Sequence, residues 1–141
     1  MNRSLNLAVL GIDHGHIFDM LDEMIKEGCN CNHFWTEGSP LTLNEFNKKY
    51  PNIKRVENKS EILKDNKIDM ILISSIPKDR ATLSIEALKS GKDVMVDKPG
   101  CTTLNQLDDL RRTVKETGKI WSVNFSERFH VAAVAKAEEL V

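Results

Sequence analysis

The stretch Lys92-Asp93-Val94-Met95-Val96-Asp97-Lys98-Pro99-Gly100 reads as an apolar strand that delivers an acid, a lysine and a proline to its carboxyl end. Open α/β sheets bind ligands outside the carboxyl ends of their strands, so an ammonium there can hold a reacting oxygen and exchange a proton with it. Pro99 fixes its own φ and pushes Lys98 toward an extended conformation, which aims the ammonium. The plainer reading of a lone Asp-Lys-Pro is a solvated strand-exit lysine. The choice turns on whether the rest of the chain supplies the sheet such a lysine needs.

A second candidate lies near the amino terminus, at Gly11-Ile12-Asp13-His14-Gly15-His16. A dinucleotide-binding βα turn has the form G-x-G-x-x-G, whose glycines allow the tight turn, the approach of backbone to pyrophosphate and the packing of helix on strand. Gly11 fits the first position. Asp13 takes the second glycine's place and His16 the third's, with Gly15 displaced by one. A carboxylate repels a pyrophosphate, and imidazoles with an ordinary pKa of about 6.5 offset it only in part at pH 7. The motif is either an altered dinucleotide turn or a tight βα turn that binds no nucleotide. Glu37 favours the first, since it lies about 20 residues further on, where an acid accepts hydrogen bonds from ribose hydroxyls. No arginine lies beside it, so NAD is expected over NADP.

Cys29, Cys31 and Cys101 give an odd count with a single C-x-C. His33 raises the local ligand count only to three, short of a structural zinc site, so reduced, partly buried thiols and no metal are expected.

These residues need a scaffold, and the order of elements supplies one. The chain has 141 residues, 40% hydrophobic and 29% charged, enough for one full domain. Net charge is −1, which gives no electrostatic grip on nucleic acid or an anionic membrane. No apolar run approaches the roughly 20 residues of a membrane span, and the amino terminus reads as a first strand rather than a signal peptide. A cytoplasmic protein is expected.

Strands are predicted over Leu5 to Leu10, His33 to Trp35, Ile68 to Ile76, Val94 to Val96 and Ile120 to Val123. A short segment beginning at Val56 lies between the second and third of these. Helices are predicted from Phe18 to Gly28, Leu43 to Tyr50, Ser60 (as N-cap) onward, Ala81 to Lys89 and Thr103 to Thr117. Strands alternating with helices through short connections demand a doubly wound parallel sheet, a Rossmann-like α/β fold. A last helical pattern, Val131 to Val141, stops without a cap and suggests a fragment of a longer chain. The domain is expected over residues 1–123, with 124–141 starting a connection to a second domain.

The Gly11 turn, Ile68-Asp69-Met70-Ile71-Leu72-Ile73, Ser84 to Lys92, Asp97-Lys98-Pro99 and Asn124 to Phe129 together resemble the amino-terminal domain of the glucose–fructose oxidoreductase and inositol dehydrogenase (Gfo/Idh/MocA) family. The most specific element is A-L-x-x-G-K-x-V-x-V-[ED]-K-P. The resemblance implies that Lys98 is a catalytic, substrate-contacting residue near the nicotinamide, with Asp97 in place of the usual glutamate beside the cofactor. It implies cofactor contacts from Ser74, Ser75 and Pro77, in addition to the turn from Gly11 through Ile12, Asp13, His14 and Gly15 to His16. The family often has a histidine shortly after that proline; this chain has Lys78-Asp79-Arg80. Arg128 matches an arginine where the family chain returns toward its second domain.

The function implied is NAD(P)-dependent hydride transfer between nicotinamide C4 and a carbinol carbon of a sugar, polyol or related small molecule. Alternatives are glycoside cleavage through transient oxidation by NAD, and a binding module that has lost its nucleotide. Family members carry a larger carboxyl-terminal domain, through which a homo-oligomer would form and without which the 141 residues alone would be inactive.

Overall fold

In the computed structural model, which describes residues 4–125 and residue 136, eleven elements alternate along the chain. They are β1 (Asn6–Leu10), α1 (His16–Lys26), β2 (Asn30–Trp35), α2 (Leu43–Lys49), β3 (Lys54–Arg55), α3 (Lys59–Lys64), β4 (Met70–Ile73), α4 (Pro77–Lys89), β5 (Asp93–Asp97), α5 (Leu104–Thr117) and β6 (Trp121–Asn124). The strands form one parallel sheet in the order β3-β2-β1-β4-β5-β6. The order reverses between β1 and β4, which creates the crevice at their carboxyl ends where such sheets bind ligands.

Strand periodicity distributes the apolar side chains to two cores. Ala8, Leu10, Ile71, Ile73, Val94 and Val96 pack with Ile62 of α3, Ala81, Ala87 and Leu88 of α4 and Leu110 of α5. Their neighbours Leu7, Val9 and Leu72 face the other way, onto Ile17, Met20 and Leu21 of α1 and Phe46 of α2. Each face is therefore covered by helices, as the doubly wound reading requires. Fully burying one such aliphatic side chain contributes about 1.5–3 kcal/mol over leaving it exposed.

The element boundaries correct several expectations. The third long strand is only Met70–Ile73; Pro77, rather than merely ending it, is the first residue of α4, where its missing N–H costs nothing. That helix thus begins four residues before Ala81. The cap of α3 is Asn58, not Ser60: its side chain accepts from the Ser60 amide while Glu61 reaches back to the Asn58 amide. The short segment near Val56 is β3, which lies just before it. Thr103 caps α5 through a similar box with Gln106, and Gly118 ends it at φ +66°. The three cysteines are free and half-buried, as expected. Burial pushes the Cys31 thiol up to about 12. No helix among the described residues is long and apolar enough to cross a membrane. Arg128 and the expected final helix, residue 136 apart, lie outside the described residues.

Candidate active site

The carboxyl ends of β1, β4 and β5 bring together three loops that lie far apart in sequence. Gly11 leaves β1 at φ +82°, and a Cβ there would stand 2.5 Å from that of Ser75. Both the conformation and the contact require glycine. The loops are stitched by backbone: Gly11 N–H donates to Trp35 O (2.7 Å), Ser74 N–H to Gly11 O (3.2 Å) and His14 N–H to Ser74 O (3.1 Å). The Ser74 hydroxyl donates to His14 O, and the Thr42 hydroxyl donates to Ile12 O. Ile12 itself is fully buried in the α1-side core, so it offers a ligand only backbone. Gly15, by contrast, borders open space.

Asp97, the last residue of β5, is completely buried, and a buried carboxylate needs a partner. Arg80 of α4 provides it, with Nη2 2.9 Å from Oδ2. The same guanidinium donates to Ser75 O (2.8 Å), Asp97 O (3.1 Å) and the carbonyls of Lys98 and Pro99. Burial pulls the Arg80 pKa down and Asp97 pulls it up; an arginine stays charged throughout. One buried cation thus fixes the backbone on both sides of Lys98, which is half-buried and precedes a cis peptide bond to Pro99. Gly100 completes the fit, since a Cβ would meet Trp121 and Val123 at 2.7 Å.

His14 and His16 approach the same carboxylate: His16 Nδ1 lies 2.8 Å from Oδ1 and His14 Nδ1 3.4 Å from Oδ2. Asp13 points elsewhere. Burial raises its pKa and the charge of Asp79 adds to this, against hydrogen bonds from the Asp13 and Ile76 amides and the charge of Arg80. It lines a cavity of about 500 Å³ with Gly11, Trp35, Glu37, Ser75 and Ile76. The volume is within the range of small-molecule sites.

The expected site residues therefore divide in two. Gly11, Asp13, Glu37 and Ser75 line the cavity, with exposed Pro77 just beyond it at the start of α4. Ser74, Asp97, His14 and His16 form the hydrogen-bonded cluster that adjoins Lys98 in sequence. One expectation is corrected. An arginine does serve the Glu37 loop: Arg55 Nη2 donates to Thr36 O (2.8 Å) and Gly38 O (2.7 Å), on either side of Glu37. Lys59 also lines the cavity, ion-paired with Glu86 at 2.6 Å and 5.8 Å from the centre of the Trp35 ring.

Arg80 is the residue that sequence reasoning missed. The signal was its helical register, because Arg80 falls on the inward stripe with Ser84, Ala87 and Leu88. A charge there must be paired or bound.

The Gfo/Idh/MocA family model, an oxidoreductase family with an NAD-binding Rossmann fold, matches residues 14–125. Scyllo-inositol 2-dehydrogenase (NAD(+)) of Bacillus subtilis is 34% identical over 76 residues, 54% of this chain and 22% of its own. A protein with an oxidoreductase assignment from Erwinia carotovora atroseptica is 34% identical, with a TM-score of 0.89 over 97% of this chain and 41% of its own. Biliverdin reductase of Synechocystis, solved with biliverdin and NADP+, shares the fold at 19% identity, with a TM-score of 0.80 over 96% of this chain and 42% of its own. The chain spans less than half the length of each of these proteins. The family match, the sheet order and the turn at Gly11 agree: this chain belongs to the Gfo/Idh/MocA family of oxidoreductases and carries its NAD-binding Rossmann fold.

Proposed function

We propose that the chain is the cofactor-binding part of an NAD-dependent oxidoreductase that moves hydride between nicotinamide and a carbinol carbon of a sugar, polyol or similar small molecule. The observation that carries this reading is Lys98, fixed by Arg80 at the carboxyl edge of the sheet. A dinucleotide fits the residues present: the cavity rises from the Gly11 turn to an exposed carboxylate at Glu37, and Gly15 leaves open space over the start of α1. When bound, it supplies the hydride acceptor. Glu37 accepts hydrogen bonds from free ribose hydroxyls and repels a 2′-phosphate. Arg55 braces the loop on either side of Glu37, donating through Nη2 to the carbonyls of Thr36 and Gly38.

Lys98 hydrogen-bonds the reacting oxygen and assists removal of its proton as hydride leaves the carbon. Arg80 and Gly100 hold its backbone, so little reorganisation accompanies that step. The substrate class rests on the resemblance to the inositol dehydrogenase. The remaining substrate contacts, and the oligomer interface, belong to a second domain beyond residues 124–141.

Calorimetric titration of the full-length protein with NAD and NADP tests the reading, followed by a screen of polyols and sugars for reduction of the nicotinamide. NAD should bind more tightly and at least one polyol should be oxidised. Absence of binding by either dinucleotide would leave a module that has lost its nucleotide, which Asp13 and His16 in glycine positions favour.

A further inference from the structure

The two histidines of the Gly11 turn take no part in the hydride step itself, and both ring Nδ1 atoms converge on the Asp97 carboxylate. We propose that His14, His16 and Asp97 form a site for one divalent transition cation of the zinc or ferrous class. One nitrogen from each imidazole and a carboxylate oxygen all lie within 4.8 Å of one another. Two imidazoles with one carboxylate suit those metals. Three protein ligands leave positions open, the mark of a site that binds a further ligand rather than a structural one.

His16 Nδ1 stands 2.8 Å from Asp97 Oδ1 and His14 Nδ1 3.4 Å from Oδ2, while His14 Nδ1 also accepts the His16 backbone N–H at 3.2 Å. A cation at the shared carboxylate would take the His14 lone pair in place of that amide hydrogen bond. The outer shell is already in place, since Arg80 Nη2 at 2.9 Å and Ser74 Oγ at 3.5 Å orient the carboxylate. The turn bearing the histidines is tied to Ser74 by two hydrogen bonds. The path is open as well: the His14 side chain is 53% exposed and that of His16 28%. The positive charge of Arg80 opposes the cation, which sets the expected affinity at micromolar rather than tighter.

The titration is run without nucleotide, so failure of this site and failure of the proposed activity are distinguishable. The test is a titration of the metal-free full chain with Zn(II), and with Co(II) as a spectroscopic substitute, without nucleotide. One cation per chain should bind with micromolar affinity, and the Co(II) spectrum should show nitrogen and oxygen ligation without thiolate bands. His14→Ala, at an exposed side chain that leaves the core intact, should weaken binding by at least about tenfold. The double variant Cys29→Ser/Cys31→Ser should bind as the parent does. Binding no tighter than millimolar, or binding that survives His14→Ala and disappears in the cysteine variant, would overturn the proposal.

Discussion

Strand β5 is flanked by two lysines, one residue outside each end, and their surroundings are opposite. Lys92, at the amino end, is 2% exposed, and its Nζ donates to Asp65 O (2.6 Å) and Ile68 O (3.1 Å). Burial pulls its pKa down, against the nearby Asp65 and Asp69. It is a strut that satisfies carbonyls in the loop between α3 and β4. Lys98, at the carboxyl end, has its backbone held by Arg80 while its half-buried side chain stands where ligands meet the sheet. The same residue type is spent on stability at one end and, in the proposed function, serves the reaction at the other.

The most disruptive way to break this contrast is to remove what underlies the carboxyl end. Arg80→Ala leaves Asp97 buried without its cation and should cost about 3–5 kcal/mol of unfolding free energy, measured by denaturant titration. Next comes Lys98→Ala in the full-length enzyme, which should lose about 2–4 kcal/mol in kcat/KM with the melting temperature and dinucleotide affinity nearly unchanged. Lys98→Arg should also be poor, because a guanidinium does not exchange a proton near neutral pH. Steady-state kinetics checks both, and near-parental activity in Lys98→Ala would reduce Lys98 to an ordinary strand-exit lysine. Lys92→Ala is the mirror experiment. It strands two carbonyls, at about 1–3 kcal/mol of stability, and should leave kcat untouched.

Two smaller effects sharpen the picture of the cavity. Glu37→Ala should narrow the preference for NAD over NADP by about tenfold, roughly 1.4 kcal/mol, in a binding titration. Asp13 has the higher proton affinity in the folded state, so its contribution favours the fold below the ordinary carboxylate range and is lost as pH rises through the folded pKa. Asp13→Asn should therefore raise the melting temperature at pH 7 by about 1–3 °C, with the gain shrinking toward pH 4. A constant gain across that range would mean the carboxylate charge is not its cause.

Periodicity and glycine placement made the sheet and its covering helices legible. The continuous apolar run around Leu72 announces a strand buried on both faces, and Gly118 closes α5 as its position suggests. Boundaries were harder to read where one residue serves two elements. Pro77 reads as a stop because it cannot sit inside a strand, yet it begins a helix for the same lack of an N–H. Within the site, the turn at Gly11 and the fixed backbone at Lys98-Pro99 were legible because a glycine and a proline constrain the chain locally. Arg80 and Arg55 were not, because their roles depend on carbonyls 17 to 19 residues away along the chain. The convergence of His14 and His16 on Asp97 spans 81 residues in the case of His16, and local spacing does not encode it.

The bonds from Ser74 to the Gly11 turn have a kinetic meaning as well. His14 N–H to Ser74 O and Ser74 N–H to Gly11 O join segments about 60 residues apart, across the central β1–β4 pairing. No short piece of chain can form them, so they close only when the middle of the sheet has assembled. Their amide protons are then released to solvent by the opening of that whole unit and not by fraying of a loop. The crevice at the sheet's reversal is, in this sense, completed only with the centre of the sheet and is a direct report on whether that centre is folded.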